Sequence, residues 1–206
     1  MDANDFVVGI SGEAGEGVLV TGDLLTQIAA RANLHISSTQ TFPAEVRGGQ
    51  SFVQIRIGVD SVYNPGDRLD VIVAFSQLAY HAVKSSASSE AIVFVDGDPD
   101  EIDITAMFGD WRGGPVYVVP MGKLAAEVGE RRAKNIVALG AIAAHLGLPG
   151  EHGEALVRRF FAKKGDAVVR PNLAALEAGR RYALERLKKR DILTVPTVPG
   201  DGYMVM

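Results

Sequence analysis

None of the 206 residues is a cysteine. Disulfide bridges and cysteine-ligated iron–sulfur clusters are therefore excluded within this chain, and the composition fits a reducing cytoplasm. Positive charge is not in excess either. Lys and Arg number 21 against 25 Asp and Glu, a formal net charge of −4. That balance argues against a general nucleic-acid binder, which is usually basic, and more weakly against an anionic membrane surface. The opening Met1-Asp2-Ala3-Asn4-Asp5 is acidic and lacks the basic-then-apolar order of a signal peptide. No apolar run approaches the ~18 residues that a membrane-spanning helix needs. Catalytic signatures are missing as well. The four histidines, His35, His81, His145 and His152, have no metal-ligand spacing of the H-E-x-x-H kind, and no G-x-S-x-G elbow occurs. Asp96-Gly97-Asp98-Pro99-Asp100 offers oxygens to a cation but lacks the rest of an EF-hand loop, so it reads as an acidic, solvated turn.

Apolar residues, in contrast, make up 47% of the chain and charged ones 22%, enough to bury the core of one sizeable domain. Their pattern alternates between strands and helices. Phe6–Ile10, Asp70–Phe75, Ala91–Val95 and Val116–Val119 read as buried strands. His35–Thr39 and Phe52–Ile57 read as two more. Helical patterns span Val18–Asn33, a segment N-capped by Ser76 and running through Lys84, and then 121–130, 134–146, 151–164 and 172–190. A serine cluster at 85–89 closes the second helix. Such alternation predicts an α/β fold of three layers, a mostly parallel sheet with helices on both faces. Residues 34–63 carry strands with no intervening helix, which predicts some antiparallel pairing. After Arg190 the composition becomes that of a linker, with Pro196, Pro199, Gly200 and Gly202, before the apolar ending Tyr203-Met204-Val205-Met206. The division expected is a domain over 1–190, and over 191–206 either a linker into a following domain or a tail that docks.

Three stretches are candidates for function. The first is the turn Gly12-Glu13-Ala14-Gly15-Glu16-Gly17, between the first strand and first helix. Its glycines run G-x-x-G-x-G, so it is not the G-x-G-x-x-G dinucleotide fingerprint. Val18-Leu19 stands where a Walker A loop needs Lys and Ser/Thr, so it is not a nucleoside-triphosphate loop. What remains is a turn of little bulk, where backbone N–H groups at a helix N-terminus can approach a ligand or a subunit. A plain tight strand–helix connection explains the glycines equally well. The second stretch is Thr39–Gln50, with Pro43, Arg47, Gly48 and Gly49. Arg47 carries an always-charged fork suited to phosphate or carboxylate, although pairing with Glu45 would use it otherwise. The third is Lys134–Ala144, a helix of small residues opened by Lys134 and Asn135. It suits close approach of another helix or subunit, or simply a core position.

The ordered set resembles one family. Gly12-Glu13-Ala14-Gly15-Glu16-Gly17-Val18, Phe42-Pro43-Ala44-Glu45-Val46-Arg47-Gly48-Gly49-Gln50 and Lys134-Asn135-Ile136-Val137-Ala138-Leu139-Gly140-Ala141 resemble three motifs of the gamma domain of 2-oxoacid:ferredoxin oxidoreductases. The wording of the first is most similar to enzymes in which the gamma domain is fused in front of the alpha domain, as in 2-oxoglutarate:ferredoxin oxidoreductases. A free gamma subunit is the alternative within the family.

The resemblance implies a fold like domain III of pyruvate:ferredoxin oxidoreductase. It also implies a part in the reversible, coenzyme A-dependent oxidative decarboxylation of a 2-oxoacid. Thiamine diphosphate, Mg²⁺ and iron–sulfur clusters would reside on partner alpha and beta domains or subunits, with electrons passing to ferredoxin. This chain would supply subunit contacts and part of the coenzyme A cleft and would not turn over alone. The residues implicated are Gly12, Glu13, Ala14, Gly15, Glu16, Gly17, Pro43, Arg47, Gly48, Gly49 and Asn135, with no catalytic residue and no metal ligand. Outside the family, a self-standing flavodoxin-like module for a nucleotide or acyl carrier, or a purely structural interaction domain, fits the same residues.

Overall fold

A computed structural model describes residues 3–41, 49–109 and 111–199. Six strands form one sheet in the order β2-β3-β1-β4-β5-β6. They are β1 (Asp5–Glu13), β2 (His35–Thr41), β3 (Gln50–Gly58), β4 (Leu69–Ala74), β5 (Ala87–Asp96) and β6 (Val116–Val119). β3 runs antiparallel to both neighbours, and the other strands share one direction. The helices are α1 (Val18–Arg31), α2 (Gln77–Val83), α3 (Ile104–Phe108), α4 (Met121–Glu127), α5 (Lys134–His145), α6 (Gly150–Phe161) and α7 (Asp166–Arg186). The α/β architecture read from the sequence, a mostly parallel sheet with some antiparallel pairing, is observed, and the antiparallel pairing is that of β3.

Side-chain alternation divides the strands between two cores. Val8, Ile10, Val71, Val73, Ile92, Phe94, Tyr117 and Val119 face a large core closed by α1 and α4 to α7. Their neighbours Val7, Ile72, Ala74, Val93 and Val95 face a smaller core closed by α2 and α3. A central strand with both faces covered must be apolar throughout, which is why these strands read as unbroken apolar runs.

Several element ends differ from the sequence reading. α1 stops at Arg31 because Asn33 adopts a left-handed conformation, φ 61°, and Leu34 N–H returns to Ala29 O at 3.2 Å. The serines at 85–89 do not simply close α2: a 3₁₀ turn spans Lys84–Ser86 and β5 already starts at Ala87. α4 ends at Glu127 rather than 130. α3 was not anticipated; Asp103 caps it by accepting from Ala106 N at 2.8 Å. α7 begins at Asp166, six residues before the expected start, and carries Pro171 inside it. The proline removes one ladder bond near the helix start, and the Asn172 side chain donates to Val168 O at 2.8 Å close to that break.

The small residues of α5 serve the packing of α5 on α7. A Cβ on Gly140 would lie 2.0 Å from Leu176 O, and one on Gly179 would lie 2.0 Å from Val137 O. Backbone meets backbone at both points, so α5 is a core helix with its N-terminus rigidly placed. Residues 191–199 pack against the body. Leu193 and Val195 are buried, and Val195 N donates to Leu146 O at 2.8 Å. Asp191 accepts from Tyr117 Oη at 2.6 Å and lies 2.8 Å from His145 Nε2. Burial would raise the Asp191 carboxyl, but the hydrogen bonds of His145 and Tyr117 hold it well below the usual carboxylate range.

Two outcomes follow. Gly179→Ala is expected to destabilise the chain by roughly 2–3 kcal/mol, because overpacking against a backbone oxygen outweighs the ~1 kcal/mol helix-propensity gain of alanine. A urea-unfolding midpoint that rises instead would place Gly179 on an open face. The second concerns alkaline pH. Burial first, then the Asp191 hydrogen bond, push the Tyr117 hydroxyl up to about 12. The folded chain thus binds this proton more tightly than the unfolded chain. The stabilisation is complete below the unfolded value of about 10 and is lost as pH climbs from there toward the folded value. Over that window the unfolding midpoint of Tyr117→Phe should fall less steeply than that of the parent; equal slopes would remove Tyr117 from this linkage.

Candidate functional site

The parallel strands all end at one edge of the sheet, and the candidate residues of the described segments gather there. β1 ends at Glu13, β4 at Ala74 and β5 at Asp96, while antiparallel β3 starts there at Gln50. Binding sites of open α/β sheets form at this carboxyl edge. Gly12–Gly17 connects β1 to α1. Glu13, Ala14 and Gly15 are exposed, Glu16 and Gly17 are half-buried, and Gly12 is buried. Ala14 N donates to Gly49 O at 3.1 Å, so the first and second candidate stretches touch. Asn135 of the third stretch lies against Gly17, donating to Gly17 O at 3.4 Å. Pro43, Arg47 and Gly48 lie outside the described residues. Of the candidates, Gly12 to Gly17, Gly49 and Asn135 are thus brought together.

Gly17 is glycine for two reasons. Its φ is +83°, and a Cβ would lie 2.6 Å from the Asn135 side chain. It caps α1 without any side-chain hydrogen bond, and the first turn of α1 holds no acidic residue. Its carbonyl is well used, accepting from Thr21 N at 2.9 Å and from Thr21 Oγ1 at 3.0 Å. The N–H groups of Val18 to Val20, in contrast, point out of the helix start without a capping side chain, where the helix dipole favours an anion.

The acids of the turn have different fates. Glu13 is exposed. Glu16 has both carboxylate oxygens engaged: Oε2 accepts from Glu13 N at 2.7 Å, which closes the turn on itself, and Oε1 takes Lys134 Nζ at 2.8 Å. Lys134 also donates to Phe75 O at 2.9 Å and pairs with Asp96 Oδ2 at 3.1 Å. Its ammonium sits 5.5 Å from the centre of the Phe75 ring. Asp96 Oδ1 in turn accepts from Gly122 N at the start of α4, at 3.2 Å. Burial alone would push the Lys134 pKa down, but the hydrogen bond of Glu16 and the charge of Asp96 outweigh it and the net direction is up. Lys134 is therefore charged across the neutral range, and its contribution is lost only above about pH 10.

Two of these roles were missed in the sequence. Asp96 was grouped with a solvated acidic turn; it is instead tied to Lys134 and to α4. Lys134 was read as a helix opener beside Asn135 and is the hub of the edge. The signal available was an acid at the end of a buried parallel strand together with a lysine at the start of an apolar helix. An open cleft of about 570 Å³ lies elsewhere, between α4 and α7, and includes Asp98, Lys123, Tyr182 and Arg186. None of the candidate residues lines it, and its Lys123 is paired with Asp98 at 3.0 Å. Among the described residues no group of His, Asp and Glu could hold a metal ion, and no helix is long and apolar enough to cross a membrane.

Residues 7–182 match the sequence profile of the pyruvate ferredoxin/flavodoxin oxidoreductase family. The chain belongs to that family. Family relatives include the 2-oxoglutarate oxidoreductase subunit KorA of Mycobacterium tuberculosis, 30% identical over 85% of this chain and 30% of its own length. The 2-oxoglutarate synthase subunit KorC of Archaeoglobus fulgidus is 28% identical over 84% of this chain and 87% of its own. Among solved members, the 2-oxoglutarate:ferredoxin oxidoreductase of Magnetococcus marinus, with 2-oxoglutarate, coenzyme A and succinyl-CoA bound, superposes with a TM-score of 0.84. It is 31% identical, and the match covers 94% of this chain and 33% of that one. The chain thus spans about a third of the length of KorA and of the Magnetococcus chain, and most of the length of KorC.

The Lys134 hub yields a stability outcome. Lys134→Met leaves Glu16 and Asp96 as neighbouring, half-buried carboxylates without their cation, at an expected loss of about 2 kcal/mol. Adding Glu16→Gln to that variant should restore part of the loss, read as a coupling energy in a double-mutant cycle of urea unfolding. Additive effects of the two changes would mean that the pair does not interact.

Proposed function

We propose that this chain is the gamma domain of a 2-oxoacid:ferredoxin oxidoreductase acting on 2-oxoglutarate, and that its carboxyl edge forms one wall of the coenzyme A cleft. The observation that carries the reading is the meeting of Gly12–Gly17, Gly49 and Asn135 at the start of α1, whose N–H groups lack a capping side chain. The Magnetococcus enzyme, with this fold in it, was solved with coenzyme A bound, which supports the assignment. In the reaction, a 2-oxoacid loses carbon dioxide, two electrons leave for ferredoxin, and coenzyme A takes the acyl group. Thiamine diphosphate, Mg²⁺ and the clusters belong to partner alpha and beta domains, in keeping with a chain that has no cysteine. The part of this chain is binding: backbone N–H groups meet the ligand, Lys134 offsets the charge of Glu16 toward an approaching anion, Arg47 supplies a cation, and Gly48 and Gly49 let backbone approach. Residues 1–190 form the gamma domain and 191–206 lead toward the alpha domain, an arrangement supported by relatives about three times this length. The assembled enzyme works in the cytoplasm.

Arg47→Ala in the assembled oxidoreductase is expected to raise KM for coenzyme A roughly tenfold, the worth of one charge-assisted hydrogen bond, with kcat at saturation little changed. An unchanged KM would take Arg47 out of the cleft.

A further inference from the structure

Three buried side-chain polar atoms have no hydrogen-bond partner among the described residues: Ser11 Oγ, Gln50 Nε2 and Gln50 Oε1. All three lie together. Ser11 immediately precedes the glycine turn and is fully buried. Gln50 opens β3 opposite Glu13, while Ser11 stands opposite Phe52. Gln50 and Ser11 are therefore diagonal neighbours on one face of the β1–β3 pair, at the edge where the candidate site lies. The buried side chains of Thr21, Asn135, His145 and Asn172, in contrast, each have a partner. A buried primary amide that uses neither its donor nor its acceptor is destabilising, and folded proteins rarely keep one without a use for it.

The chemistry of the missing partner can be stated. It must offer an acceptor to Nε2 and a donor to Oε1. A phosphate offers acceptors only. A secondary amide offers both, and so does an adenine edge. Gln50 is only half-buried as a residue, but its amide end is out of solvent. The amide end is covered on the same face of the β1–β3 pair as Ser11, while the rest of the residue keeps some exposure. A slender arm can be drawn into such a place more readily than a bicyclic base. We propose that the Gln50 amide pairs with an amide of the pantetheine arm of coenzyme A, with Ser11 Oγ beside it as a second hydrogen-bonding group. The proposal rests on the coenzyme A reading above. In that reading the thiol at the end of the arm must travel inward to the reacting centre on a partner domain. An amide clamp at the β1–β3 edge fixes the direction of that travel.

The test uses Gln50→Met, of similar length and without polar ends, with Gln50→Leu as a second variant, in the assembled oxidoreductase. Two probes are compared: coenzyme A as substrate, and adenosine 3′,5′-bisphosphate, which lacks the arm, as competitor. KM for coenzyme A should rise about tenfold on losing two neutral hydrogen bonds, while the inhibition constant of the bisphosphate stays unchanged. The ligand-free full chain should unfold at the same temperature or higher, since an unsatisfied amide has been removed. An unchanged KM, an equal weakening of the bisphosphate, or a lowered unfolding temperature in both variants would each overturn the proposal. They would mean respectively no contact, an adenine contact, or a structural role. A parent enzyme whose rate does not depend on coenzyme A would overturn the underlying reading instead.

Discussion

One ammonium group organises the carboxyl edge. Lys134 Nζ has three N–H donors and meets three acceptors: Glu16 Oε1, Phe75 O and Asp96 Oδ2. These belong to the turn before α1, the end of β4 and the end of β5, and Asp96 extends the connection to α4. A compact ammonium suits acceptors that converge from separate directions; the planar fork of arginine would not satisfy them together. The same contact removes the repulsion between Glu16 and Asp96. It also offsets part of the negative charge of the turn: Glu16 is paired and its second oxygen is spent on the backbone of Glu13, while the Glu13 side chain stays exposed.

The hub works only because α5 is held in place from behind. Gly140 and Gly179 let the backbones of α5 and α7 meet directly, so the helix start that carries Lys134 and Asn135 is set by packing and not by flexible side chains. The sheet does the rest. Parallel strands bring the ends of β1, β4 and β5 to one edge, and the reversal of β3 returns Gly49 and Gln50 to that same edge. Residues separated by more than 100 positions in the chain thus make one surface, with helix N–H groups that lack a side-chain cap on one side and, on the other, an amide without a partner among the described residues.

Much of this was legible in the sequence. Central strands announced themselves as apolar runs because both faces are covered, and the antiparallel strand because no helix intervenes between residues 34 and 63. Ser76 was recognisable as a cap and does accept from Ala79 N. Helix limits were less legible where a residue type misleads: Pro171 signals a start, but α7 tolerates it near its beginning. The short α3 has too few residues for a helical period. The motif order identified the family, and the described parts of the three candidate stretches touch: Ala14 meets Gly49, and Asn135 meets Gly17. What the sequence hid was pairing across distance. Asp96 looked like part of a solvated turn because its partner is 38 positions away, and Gln50 read only as the last residue of the loop candidate Thr39–Gln50 because nothing local reveals that its amide has no partner among the described residues.

The central claim is that the turn from Gly12 to Gly17 and its neighbours across the edge take up coenzyme A. Amide hydrogen exchange of the assembled enzyme, with and without coenzyme A, tests it most directly. Exchange should slow over Gly12–Val20 and at Gly49–Gln50 on binding, with the distant cleft between α4 and α7 unaffected. Coenzyme A that binds with no change over Gly12–Val20 would contradict it.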